Sequence, residues 1–136
     1  MKRPIEVLGI YLHLARASAQ RQRPHVRDRL LVIASSMAHR IELPSIAALC
    51  RSRVLDHNPN HGIGRCDTIA EAMETEDFLA LLKQIQRRYP LEKAETLLDN
   101  LGIELANERD AYFTDQEYAA ALLGESLESL RERFGE

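Results

Sequence analysis

Tryptophan is absent, and phenylalanine and tyrosine bring the aromatic share to only 5%. This argues against an aromatic-rich β-sandwich and for a core of Leu, Ile, Val and Ala. Cysteine is equally scarce. Cys50 and Cys66 are too few for a disulfide framework, so reduced thiols in a cytoplasmic protein are expected. No stretch reaches the roughly 20 apolar residues that span a bilayer, so no membrane is expected as a partner. Lys2 and Arg3, an apolar stretch over 7–12 and Ala17-Ser18-Ala19 have the outline of a signal peptide. Glu6, His13 and Arg16 interrupt its apolar segment, which argues against one.

Signatures of catalysis are lacking as well. There is no His-Glu-x-x-His, no P-loop and no nucleophile elbow, and no glutamate stands three residues before a histidine as di-iron sites require. Gly62-Ile63-Gly64 does not extend to a dinucleotide fingerprint. Glu104, Glu108, Asp110, Asp115 and Glu117 lack the spacing of an EF-hand and read as a solvated acidic face. No cofactor is expected, and the reading leans away from an enzyme.

What is present is helical pattern. The chain is 136 residues long, 45% hydrophobic and 29% charged, which suits a single globular domain over 1–136. Pro4, Pro24, Pro44 and Pro90 each precede apolar residues at helical spacing, and Thr68, Thr75 and Thr114 stand where helix caps are wanted. The spacing predicts helices over about 4–20, 25–40 and from 44, an irregular loop over 56–67, and further helices to the end. Residues 103–113, which show no strand alternation, are read as helical. The expected fold is all-α, about seven to eight short helices in an irregular or orthogonal bundle. Apolar residues lie on both sides of the first helix, with Ile5, Leu8 and Leu12 opposite Val7, Ile10 and Leu14. Either later helices wrap it, or it forms a homodimer interface; the balance leans slightly to the dimer.

Charge is divided unevenly. Residues 1–66 hold 11 Lys/Arg against 4 Asp/Glu, and residues 67–136 hold 7 against 17. The simplest reading is that the halves face each other and cancel. The alternative is a basic surface for nucleic acid, with Arg21, Arg23, Arg27, Arg51 and Arg53 as contacts and residues 33–53 loosely resembling a helix-turn-helix. The turn lacks the usual glycine.

Polar, chemically capable side chains concentrate in one loop: His57, Asn58, Asn60, His61, Arg65 and Cys66. With Cys50, the residues His57, His61 and Cys66 have the ligand types of a zinc site but not its close cysteine spacing, so no metal is assigned. Cys66 beside His61 is a weaker possibility for a thiol site. A purely structural Ω-type loop is favoured over both. The expected function is a non-enzymatic protein-interaction module, with nucleic-acid binding second and a metal or thiol site in the loop third.

Overall fold

The computed structural model describes residues 2–135. Eight α-helices and two 3-10 turns make up these residues, with no strand among them. In chain order the helices are α1 (Pro4–Gln20), α2 (Pro24–Arg40), α3 (Pro44–His57), α4 (Ile69–Ala72), α5 (Glu76–Arg88), α6 (Leu91–Asn100), α7 (Asp115–Leu122) and α8 (Leu127–Phe134). The 3-10 turns are Gly62–Arg65 and Glu108–Ala111. The all-α array expected from the spacing is the fold.

Local chemistry explains most boundaries. Pro4, Pro24 and Pro44 occupy the first position of the three longest helices, where a missing N–H removes no helical bond. Four later helices are capped by hydroxyls: Thr68, Thr75, Thr114 and Ser126 accept the backbone N–H groups of Glu71, Phe78, Glu117 and Ser129. Gly102 and Gly124, at φ of 73° and 72°, end α6 and α7 in the left-handed conformation that glycine tolerates best.

One core cluster draws residues from every helix. α1 lies within it, packed against α2, α6 and α7. Ile5, Leu8, Ile10, Leu12 and Leu14 are all buried. Val7 is half-buried, and the other apolar residues on both sides of α1 are buried inside one chain, which removes the argument for a dimer through this helix. Gly9 permits the closest approach, since a Cβ there would stand 2.3 Å from the Tyr118 hydroxyl.

Two expectations are corrected. Residues 103–113 are not α-helical; they hold only the 3-10 turn Glu108–Ala111, and Ala106 has a positive φ of 38°. Side-chain contacts override helix propensity here: Arg109 donates to the carbonyl of Tyr112 at 2.8 Å and to Asp115 at 2.6 Å. Nor is the acidic run simply a solvated face. Glu108 meets His13 Nε2 at 2.8 Å and accepts the Tyr118 hydroxyl at 2.8 Å, so it ties this segment to α1 and α7.

Candidate functional site

The joint between α1 and α2 gathers the exposed Arg16, Arg21 and Arg23. Arg21 N–H bonds Ala17 O at 3.0 Å and Arg23 N–H bonds Ser18 O at 2.9 Å, while Gln22 takes a left-handed φ of 59°. This is a helix stop of the Schellman type without its glycine. Pro24 then starts α2 at once, which keeps Arg23 out of the helical conformation. The outcome is that Arg21 and Arg23 both stand exposed at the corner. Neither forms an ion pair among the described residues, and nor does the exposed Arg16.

The C-terminal half of α1 is a ridge between two clefts. One, of about 430 Å³, has Leu14, Val26, Leu30, Leu97 and Leu101 as its floor and Arg21, Arg23 and Lys93 around it. Among the described residues no carboxylate contributes to its lining. Tyr89 closes one end, with Lys93 Nζ 5.4 Å from its ring centre, and its carbonyl accepts the Tyr11 hydroxyl at 2.6 Å.

The other cleft, of about 510 Å³, opens between α1, α2, α3 and the turn after α7, over Leu12, Ala15, Leu31, Leu122 and Leu123. Arg16, Arg27, Arg53, Asp56 and His57 border it. Behind its wall sits Asp28, only 5% exposed. A buried carboxylate needs partners, and Asp28 has two: Arg27 Nη2 at 2.9 Å and a close contact to His57 Nδ1. The Asp28 contact fixes the His57 ring and leaves its Nε2 as the free ring nitrogen. The edge of His25 adds a ring contact at 5.3 Å between centres. Arg53 is held in turn by Glu125 at 3.2 Å. The cleft lining includes no serine, threonine or cysteine that His57 could activate.

No family model, curated protein or solved structure matches this chain.

The residues singled out from the sequence fall into several surroundings. His57 turns toward Asp28, whereas His61 faces its own loop, its Nδ1 accepting the N–H of Ile63 at 3.0 Å. Burial pushes the His61 imidazole below its ordinary pKa. Ile63 is fully buried and anchors the loop. Asn58 is half-buried, Asn60 is exposed, and Arg65 lies 3.9 Å from Asp77 with both side chains in solvent. The carbonyl of the half-buried Cys66 accepts Arg51 Nη2 at 2.7 Å. Cys50 is wholly buried in α3, and burial pushes its thiol up to about 12. Among the described residues no three His, Cys, Asp or Glu side chains gather closely enough to hold a metal, so Cys50, His57, His61 and Cys66 do not converge.

The five arginines also separate. Arg27, Arg51 and Arg53 are engaged by Asp28, the carbonyls of Arg53 and Cys66, and Glu125; Arg21 and Arg23 have no side-chain partner among the described residues. α3, the second helix of the pair that resembled a helix-turn-helix, is packed against α8, with Arg133 reaching Ser52 Oγ at 3.3 Å.

Sequence reasoning missed Asp28, Tyr89 and Lys93. Asp28 carried a readable signal: it falls on the stripe of Leu31, Val32 and Ser35, at i+3, i+4 and i+7, where an acid is out of place unless partnered. Tyr89 and Lys93 carried none, since only the packing of α5 beside α2 and of α6 beside α1 brings them to the joint.

Proposed function

We propose that the protein is a non-catalytic interaction module that takes an acidic, partly apolar segment of another protein at the α1–α2 joint. The observation that carries this reading is the 430 Å³ cleft: three cations, Arg21, Arg23 and Lys93, stand over a floor of Leu and Val with no carboxylate in the lining among the described residues. Cations at the rim steer an acidic partner and set its orientation, while the floor supplies affinity. Each Leu-sized side chain buried there contributes roughly 1.5–3 kcal/mol. The larger cleft on the other side of the ridge also has an apolar floor, with Arg16 and Asp56 at its border. A cytoplasmic setting suits the two unlinked thiols.

Nucleic acid shares the attraction to cations but makes poor use of apolar floors. Single strands gain from stacking on aromatic faces, and Tyr89 alone offers one in this cleft.

Fluorescence anisotropy decides between the two. The labelled ligands are an acidic peptide with Leu at helical spacing among Glu, the same peptide with Leu replaced by Ser, and a single-stranded DNA 12-mer. The Leu/Glu peptide is expected to bind tightest, and Arg21→Glu with Arg23→Glu to weaken it at least about tenfold. Tighter binding of DNA, or equal binding of the Leu and Ser peptides, removes the proposal.

A further inference from the structure

We propose that the cleft between α1, α2, α3 and the turn after α7 is a binding site for a small zwitterion with a compact apolar body, an amino acid or a short peptide. Its volume of about 510 Å³ lies within the range of small-molecule pockets. It shares no lining residue with the 430 Å³ cleft, so it stands or falls independently of the interaction reading.

The charges around this cleft divide into those already answered by the protein and those that are not. Arg27 is held by Asp28 at 2.9 Å and by the carbonyl of Arg53 at 3.2 Å, and Arg53 is held by Glu125 at 3.2 Å. Asp28 also takes Nδ1 of His57. Arg16 and Asp56 differ. Both are exposed, both border the cleft, and neither has an ion pair among the described residues. An unpaired cation and an unpaired carboxylate thus stand at one cleft without meeting each other.

That arrangement selects the charge of the ligand. Asp28 offsets Arg27 and Glu125 offsets Arg53, so the inner wall carries little net charge of its own. A ligand of one sign satisfies either Arg16 or Asp56 and is repelled by the other. A molecule with both signs answers both. The guanidinium of Arg16 suits a carboxylate, to which it can give two parallel N–H bonds, and the Asp56 carboxylate accepts from an ammonium group. Between them the exposed Ala19 and Pro24, with Leu122 and Leu123, supply apolar surface for the body of the ligand. These features together describe an amino acid with an apolar side chain, or a short peptide with its two charged ends.

The test is a calorimetric titration of the whole protein with phenylalanine and with the dipeptide Leu-Phe, beside two analogues that each keep one charge, hydrocinnamate and phenethylamine. Saturable binding of a zwitterion with Kd of about 1 mM or below is expected, and each analogue is expected to bind at least about tenfold more weakly. Tighter phenylalanine assigns a free amino acid, and tighter dipeptide a peptide. Arg16→Gln and Asp56→Asn each change an exposed, unpaired side chain, so both fold, and each weakens the zwitterion about fivefold or more. The analogues separate the two roles: Arg16→Gln weakens hydrocinnamate and spares phenethylamine, and Asp56→Asn does the reverse. Arg21→Glu with Arg23→Glu changes these affinities by less than about twofold at physiological salt, which separates this site from the joint cleft. The proposal is overturned if neither zwitterion saturates, if a singly charged analogue binds as tightly as the zwitterions, or if the two variants weaken both analogues alike.

Discussion

Cys50 and Cys66 show how much a single environment decides. Cys50 is enclosed in α3 with its thiol held up to about 12 by burial, while Cys66 is half-exposed. The thiolate is the reactive form, so a disulfide reagent at pH 8 is expected to modify Cys66 quickly and Cys50 only as the protein unfolds. Two equally fast thiols would contradict the burial of Cys50. Tyr11 makes the corresponding case for pH. Burial raises its phenol to about 12, against an ordinary value near 10, so the native state holds the proton more tightly than the unfolded chain. The stability this contributes is complete below pH 10 and is lost as pH rises toward 12. Tyr11→Phe should flatten that alkaline decline in a series of urea melts. Gly9 is a further case. Ala gains about 1 kcal/mol of helix propensity over Gly, but a methyl 2.3 Å from the Tyr118 hydroxyl forces a shift that costs about 1–3 kcal/mol. Gly9→Ala is therefore expected to destabilise, and Tyr118→Phe to relieve part of the loss in a double-mutant cycle.

At the level of elements, legibility followed the range of the forces involved. Proline at the first turn, a hydroxyl cap and a glycine stop act within four residues, and the helices they bound were readable. Thr75 is the clearest: its Oγ1 accepts the Phe78 N–H at 3.2 Å, at the head of a helix whose Phe78, Leu82 and Ile85 enter the core. Thr75→Ala is expected to lower stability by about 1 kcal/mol. By contrast, Thr96, an exposed residue within α6 that only bonds back to Glu92 O, should tolerate Ala with little change or a small gain. Denaturant midpoints of the two variants make the comparison, and equal losses would mean that the cap contributes nothing of its own. Residues 103–113 failed to read because long-range pairs organise them. The bonds from Glu108 to His13 and Tyr118 join positions 95 and 10 residues apart, and no local pattern announces them.

At the scale of the whole molecule, some of the opposed charges of the two halves pair across the fold. Lys2 meets Glu95, Arg3 meets Asp110, and Arg53 meets Glu125, each pair joining the basic half to the acidic one. These exposed or half-exposed pairs contribute little stability each, and Arg16, Arg21 and Arg23 at the joint are among the cations with no ion pair among the described residues. The sequence held the charges but not their pairing. The position of α1 was likewise ambiguous from pattern alone, because a helix apolar on both sides fits a central strut and a dimer interface equally well. Enclosure by α2, α6 and α7 decides for the strut. Leu8, fully buried, should therefore behave as core. Leu8→Ala is expected to cost about 2–5 kcal/mol, and Leu8→Glu to unfold the chain, since a carboxylate there would have neither water nor partner. Sedimentation at micromolar concentration checks the same point from outside: the wild-type chain should be monomeric, with no association driven by α1. A stable dimer from which Leu8→Glu releases a folded monomer would show that α1 is a surface and not a strut.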